Sequence, residues 1–387
     1  MKRILPFIAD QTRGKSFKTR KYSIDDVKMP SLVYDDHQDL NLKRYGEIEK
    51  ITKPKPLGVK SKQIQEFSKP LFKYFLDGSR RTYKVDDIAY NNRVYPIIAG
   101  QIGVGCCARD EEKRLKKKIL EHNLVLALPA CADKDGKKEL FFNKLVDDIN
   151  IQIFLETKKI KIHKVLSYKD KELNTGEKYE DLGIAKIHDE MIESEKKIVA
   201  NLISENLLNE NAYLLKDGSL EYQKMKTGDF KDLSIIKSNY KCVVGVSKSF
   251  NPEKCKDSSG RSNATKIAEI PLFHRTPAFM YESSRTAGKG GIVKFALWYL
   301  RIRDARFTYS PYEGIIKVEK ILVSDFEQQN GLDSEEIDLI SANLINERNP
   351  VCYGSDTRWA NHLYPVYLTE LYIKSKFLSS RYFINLF

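Results

Sequence analysis

Apolar and polar positions alternate with two different periods along this chain. A strand runs from Tyr74 to Asp77 in the segment KYFLDGSRR. RTYKV (81–85) and VYPIIAGQIGV (94–104) supply two more strands, separated by the polar turn AYNNR. Three short β-runs joined by brief turns predict an antiparallel meander. EEKRLKKKIL (111–120) reads as a helical turn or a basic loop. An apolar strand, NLVLALP, and a helical patch over 138–149 follow it.

The period changes from about Ile184 to Leu208. Ile187, Met191, Ile198, Leu202 and Ile203 recur at helical spacing among acids and lysines, which predicts an amphipathic helix. NAYLLK (211–216) is a strand running into Asp217-Gly218-Ser219, and CVVGVS (242–247) is another after a short helical stretch. Residues 250–291, rich in Ser, Gly and Lys, read as loop. IVKFALWYLRI and GIIKVEKILV are strands, and helices are expected near 334–346 and from Tyr364 to Leu378. Meander, long helix, strand, helix, strand is the order of an RNase H-like core, so the expected class is α/β with flanking helices. Residues 1–65, with Pro6, Pro30, Pro54 and Pro56 among basic clusters, read as an extension with little structure of its own, followed by one domain over 66–387.

Composition narrows the partners. Among 387 residues, 41% are hydrophobic and 31% charged, which excludes wholesale disorder. No run approaches the roughly 18 apolar residues of a membrane helix, and MKRILPFIAD is a poor secretory signal, so a cytoplasmic protein is expected. The net charge is +13, and residues 1–65 alone hold fifteen basic against eight acidic side chains. Such a field favours polyanions, DNA or RNA before anionic membrane. The six cysteines include no C-x-x-C pair, which argues against structural zinc, and Cys106-Cys107 read as small buried residues. With no G-x-S-x-G and no Walker A sequence, any motor activity must come from a partner.

The candidate chemistry lies in a repeated tripeptide. FLDGSRR places Asp77 after one apolar strand, and LLKDGSLEY places Asp217 after a second. Carboxylates at strand ends are held rigidly, the following glycine permits close approach, and two of them can share a hard divalent cation. A third carboxylate is sought on the helix between them. Of Asp189, Glu190, Glu193 and Glu195, Glu195 borders the apolar face, and Glu190 is the second choice.

DGS at 77–79, DGSL at 217–220, VVGVSK at 243–248, FALWYLRIR at 295–303, IIKVEK at 315–320 and YPVYLTE at 364–370 occur in the order of one family. Over residues 70–380 the chain resembles the NurA nucleases, which work with the hexameric HerA translocase in DNA-end processing and defence. The resemblance implies an RNase H-like fold and cleavage of DNA with two Mn2+ or Mg2+ ions. It casts Asp77, Asp217 and Glu195 as metal ligands, with Glu190 as the alternative register, and puts Lys248 near the scissile phosphate. The family's C-terminal histidine position is taken here by Tyr372, which leaves His362 and Glu370 as candidates for the fourth role. It also implies a homodimer docked on a HerA-type ATPase. The apolar tail of Tyr382, Phe383, Ile384, Leu386 and Phe387 either meets that partner or folds back on its own core. The rival expectation is a non-catalytic DNA-binding clamp subunit of the same assembly.

Overall fold

Residues 40–42, 45–90, 92–133, 136–137, 139–151, 157, 159–173, 176–221, 237–257, 259–283, 292–348 and 359–387 are described by a computed structural model. The chain divides into a first unit, the residues up to Lys73 with Asn209–Tyr364, and a second, Tyr74–Leu208 with Pro365–Phe387. In the first unit β1 (Leu40–Asn41), β2 (Lys55–Pro56) and α1 (Gly58–Phe67) precede β3 (Phe72–Tyr90), which carries the chain into the second. There follow β4 (Arg93–Arg109), β5 (Leu115–Pro129), α2 (Glu139–Asn150), β6 (Ile162–Tyr168) and α3 (Tyr179–Ser204). The first unit resumes with β7 (Tyr213–Asp217), β8 (Val243–Ser247), β9 (Cys255–Lys256), α4 (Ala264–Ala268), β10 (His274–Arg275) and β11 (Phe279–Ser283). It continues with β12 (Val293–Arg301), β13 (Ile315–Ile321), α5 (Asp325–Asn330) and α6 (Ser334–Asn346). Then α7 (Tyr364–Lys374) and α8 (Ser380–Ile384) finish the second unit. Both units are mixed α/β. Among the described residues, no helix is long and apolar enough to cross a membrane.

The sheet of the first unit has the order β2-β10-β12-β13-β8-β7, with β11 also on β12. All its pairs are antiparallel except β7 with β8, which is parallel. Every residue of β13 is buried, and so is all of β12 except Lys294, as expected of strands covered on both faces. α6 contributes Ile337, Ile340 and Leu344 to this core, and the Trp298 indole donates to Ser341 Oγ at 2.9 Å. α1 is tied to α6 by Ser61 Oγ, which donates to Asn346 Oδ1 at 2.7 Å.

Residues 45–65 depart from the expected unstructured extension. The Arg275 guanidinium, 0% exposed, donates to Glu47 at 3.1 and 2.7 Å and to Asp338 at 2.7 Å. Lys55 adds a 2.7 Å contact to Asp338. A cation buried this deeply requires anionic partners, so Glu47 belongs to the core of the first unit. Residues 1–39 of the expected extension lie outside the described residues. The expected loop over 250–291 likewise contains β9, α4, β10 and β11. The buried Arg301 stabilises this stretch by donating to the carbonyls of Ile270 and Ala268, and those of Pro311 and Glu313 hold the next turn.

The second unit contains the meander β3-β4-β5, with β6 parallel to β5. Its strands outrun the apolar runs. β3 passes unbroken from Phe72 to Tyr90, with one bulge between Lys84 and Asp86. EEKRLKKKIL is neither helical turn nor loop; it forms a tight turn and the start of β5. Asp110 closes that turn, accepting from the Arg114 amide at 2.9 Å and pairing with Lys116 at 3.0 Å.

Successive side chains of a strand point to opposite faces, and the two faces of β3 meet different helices. On the even-numbered side lies α3, with Glu195 and Met191 at Gly78 and an ion pair from Lys84 to Glu180. On the odd-numbered side lie α7, the residues after it, and α8. Gly105, opposite Asp77, and Gly103, opposite Ser79, both sit under Ile373. Arg81 stacks over Phe377 at 5.3 Å, and the Tyr83 ring lies 5.1 Å from Phe383. Phe383 is 0% exposed and clusters with Leu124, Leu126, Phe142 and Val165. Of the tail residues, Phe383 and Leu386 fold back on the core, whereas Tyr382, Ile384 and Phe387 stay exposed.

Candidate active site

In the second unit the site is organised around Asp77 and Gly78 on β3. Asp77 is buried at 5% exposure, and so is Glu195 of α3 at 3%. A Cβ built on Gly78 would stand 2.4 Å from Glu195 Oε1. The missing side chain at position 78 is therefore what lets a carboxylate from the α3 layer reach the backbone beside Asp77. The same helix sends Glu190 elsewhere: it pairs with Lys164 of β6 at 2.6 Å. Between the two register alternatives, Glu195 is the one brought to the Asp-Gly-Ser segment. Glu370 and Tyr372 both lie on α7, where Glu370 pairs with Lys374 and Lys376 lies over the Tyr372 ring at 5.4 Å.

In the first unit, the second Asp-Gly-Ser segment closes β7. Gly218 adopts φ +82°, a left-handed conformation that favours glycine, and its amide donates to the Val246 carbonyl at 2.8 Å. Asp217 pairs with Lys248 at 2.8 Å, and Lys216 Nζ donates to the Asp217 carbonyl at 2.7 Å. Glu319 of β13 holds the turn from below, accepting from Ser219 Oγ at 2.8 Å and from the Leu220 amide at 2.9 Å. Its other oxygen meets Lys317 at 2.8 Å. Burial works against ionisation of Glu319, but Lys317 and the two donors outweigh it and hold the carboxyl below its ordinary range. His362 is buried at 1%. Its neighbour Asn361 donates to the carbonyls of Lys248 at 2.8 Å and Ile315 at 2.7 Å, and accepts from the Gly314 amide at 2.6 Å.

Asp217 and Lys248 are thus paired, whereas Glu195 meets β3 at Gly78 on the α3 face and the Asp77 side chain leaves the strand on the other, α7 face. Lys216, Lys317, Glu319 and Asn361 were not singled out as site residues by the sequence reading. The usable signal was charge inside IIKVEK, since lysine and glutamate within an otherwise apolar strand must be satisfied internally. Among the described residues, no group of three or more His, Cys, Asp or Glu side chains is placed to hold a metal ion. Magnesium, however, is commonly held by one or two carboxylates, completed by waters and substrate phosphates. As hard oxygen donors, Asp77 and Glu195 each suit such an ion, from opposite faces of β3. Comparison of the chain with protein-family models and with curated proteins finds no match.

Proposed function

We propose that this chain is a divalent-metal-dependent DNA nuclease of NurA type, built on an RNase H-like core and acting in the cytoplasm. In this reading it is a homodimer served by a HerA-type hexameric ATPase. The observation that carries the reading is the buried Glu195 carboxylate of α3 lying against Gly78 of the first Asp-Gly-Ser segment. Mn2+ or Mg2+ held by Asp77 or by Glu195, its shell completed by waters and substrate phosphate, would supply an activated water and stabilise the leaving oxygen of a phosphodiester. The chain's own contribution is positional. β3 fixes Asp77, α3 fixes Glu195, and Gly78 leaves room for the Glu195 carboxylate against the strand. In the first unit, Glu319 and Lys216 hold the turn that presents Asp217, and Lys248 offers an ammonium for a DNA phosphate.

The test is cleavage of labelled DNA by the purified chain with Mn2+ or Mg2+, alone and with the ATPase. Asp77→Asn, Glu195→Gln and Asp217→Asn should each lower the rate by at least about a thousandfold while leaving folding intact. Glu190→Gln should stay active. Near-normal cleavage by Asp77→Asn or Glu195→Gln would overturn the assignment. One observation favours the clamp reading instead: Lys248 already neutralises Asp217 at 2.8 Å. A clamp would bind DNA but take up no manganese in a titration that follows binding directly.

A further inference from the structure

Arg80 and Arg81 are consecutive on β3 and therefore face opposite layers. Arg81 is accounted for by the Phe377 ring beneath it. Arg80 is not. It lies two residues beyond Gly78 on the side that α3 covers, opposite Ile102 of β4 and between the levels of Gly78 and Lys84. It is half-buried, and among the described residues no hydrogen bond or ion pair reaches its side chain. Burial alone lowers its pKa below the ordinary arginine value, with no carboxylate to offset it. A guanidinium cannot shed its proton, and a desolvated one without an acceptor is costly. The nearby glutamate, Glu195, sits at Gly78 instead, and Glu180 is taken by Lys84. The side chain is thus a fork of donors kept on the carboxylate-bearing stretch of β3 without a protein anion to receive them.

We propose that Arg80 holds a backbone phosphate of the DNA, as a positioning residue for the strand presented to Glu195. This rests on the nuclease reading given above. Guanidinium matches a phosphate through two parallel N–H···O bonds, which orient the diester as well as attract it. The short step from Gly78 to Arg80 would set that phosphate beside the Glu195 carboxylate.

The test is fluorescence anisotropy of labelled single-stranded and duplex oligonucleotides with the full chain in EDTA, over a range of salt. Arg80→Ala should weaken binding about tenfold or more. It should also reduce the slope of log K against log salt by about 0.9 for duplex, or about 0.7 for a single strand. Arg80→Lys should keep the slope but recover only part of the affinity, because it keeps the charge and loses the fork. Arg81→Ala, which removes the same charge from the other face, should leave both nearly unchanged. The melting temperature of Arg80→Ala should not fall, since no internal ion pair is lost. An unchanged slope in Arg80→Ala, an equal loss in Arg81→Ala, or a large drop in melting temperature would each overturn the proposal. Cleavage separates the two ideas. A wild-type chain that cuts no DNA, while Arg80→Ala still loses affinity, defeats the nuclease reading and leaves the phosphate contact standing. A wild-type chain that cuts, with KM and affinity unchanged in Arg80→Ala, does the reverse.

Discussion

Gly78 decides whether Glu195 can reach β3. A methyl group there would lie 2.4 Å from Glu195 Oε1 and 3.2 Å from Met191 Cγ. The carboxylate end can swing away more easily than the helix can shift. Gly78→Ala should therefore fold, at a cost of about 1–3 kcal/mol, yet cleave as poorly as Glu195→Gln. A melting curve and a cleavage assay on the same preparation check both halves. Glu319 offers a test by pH. Glu319→Gln removes the carboxylate that meets the buried Lys317 ammonium, which should cost about 3–5 kcal/mol near neutrality. The Glu319 carboxyl is held below its unfolded value of about 4.3. Its contribution is therefore complete above that value and disappears as pH falls through the folded pKa. The gap in melting temperature between wild type and Glu319→Gln should be wide at neutral pH and close in acid.

At the scale of elements, the side chain that anchors the last helix is Phe383, 0% exposed against Tyr83. Phe383→Ala should destabilise the second unit by about 3–5 kcal/mol, read as earlier loss of protection in hydrogen exchange over β3 and β5. An unchanged profile would mean that α8 is dispensable. Periodicity identified the long helix, the closing helices and strands β7, β8, β12 and β13, because each buries a regular stripe or a continuous apolar run. It failed where order comes from single polar side chains reaching across the sequence. Glu47 is defined by Arg275, 228 positions away, and the lysine-rich start of β5 by its pairing with β4. The candidate site divides in the same way. The repeated Asp-Gly-Ser was visible because glycine and aspartate carry local meaning. Glu319, 99 positions from the Leu220 amide it accepts, and Asn361, 113 from Lys248, act only through distant contacts.

At the scale of the molecule, the excess of positive charge in residues 1–65 lies mostly after position 39. Residues 1–39 hold eight basic and six acidic side chains, whereas residues 40–65 hold seven and two. A chain beginning at Leu40 should stay folded and keep nearly the full salt dependence of DNA binding. One beginning at Glu66 loses Glu47, Lys55 and most of α1, leaves Arg275 with Asp338 alone, and should fail to fold its first unit. Circular dichroism with salt-dependent binding would distinguish these outcomes from a DNA-gripping N-terminal arm. Each unit is also assembled from two separate stretches of chain, and that has a cost in time. During synthesis β3, β4 and β5 emerge while Ile373, Phe377 and Phe383 are still untranslated. From Gly103 to Ile373 is about 270 residues, on the order of tens of seconds at ribosomal speed. Through that interval the glycine-lined face of the meander is bare, so the nascent chain, more than the finished protein, is the species a chaperone would hold.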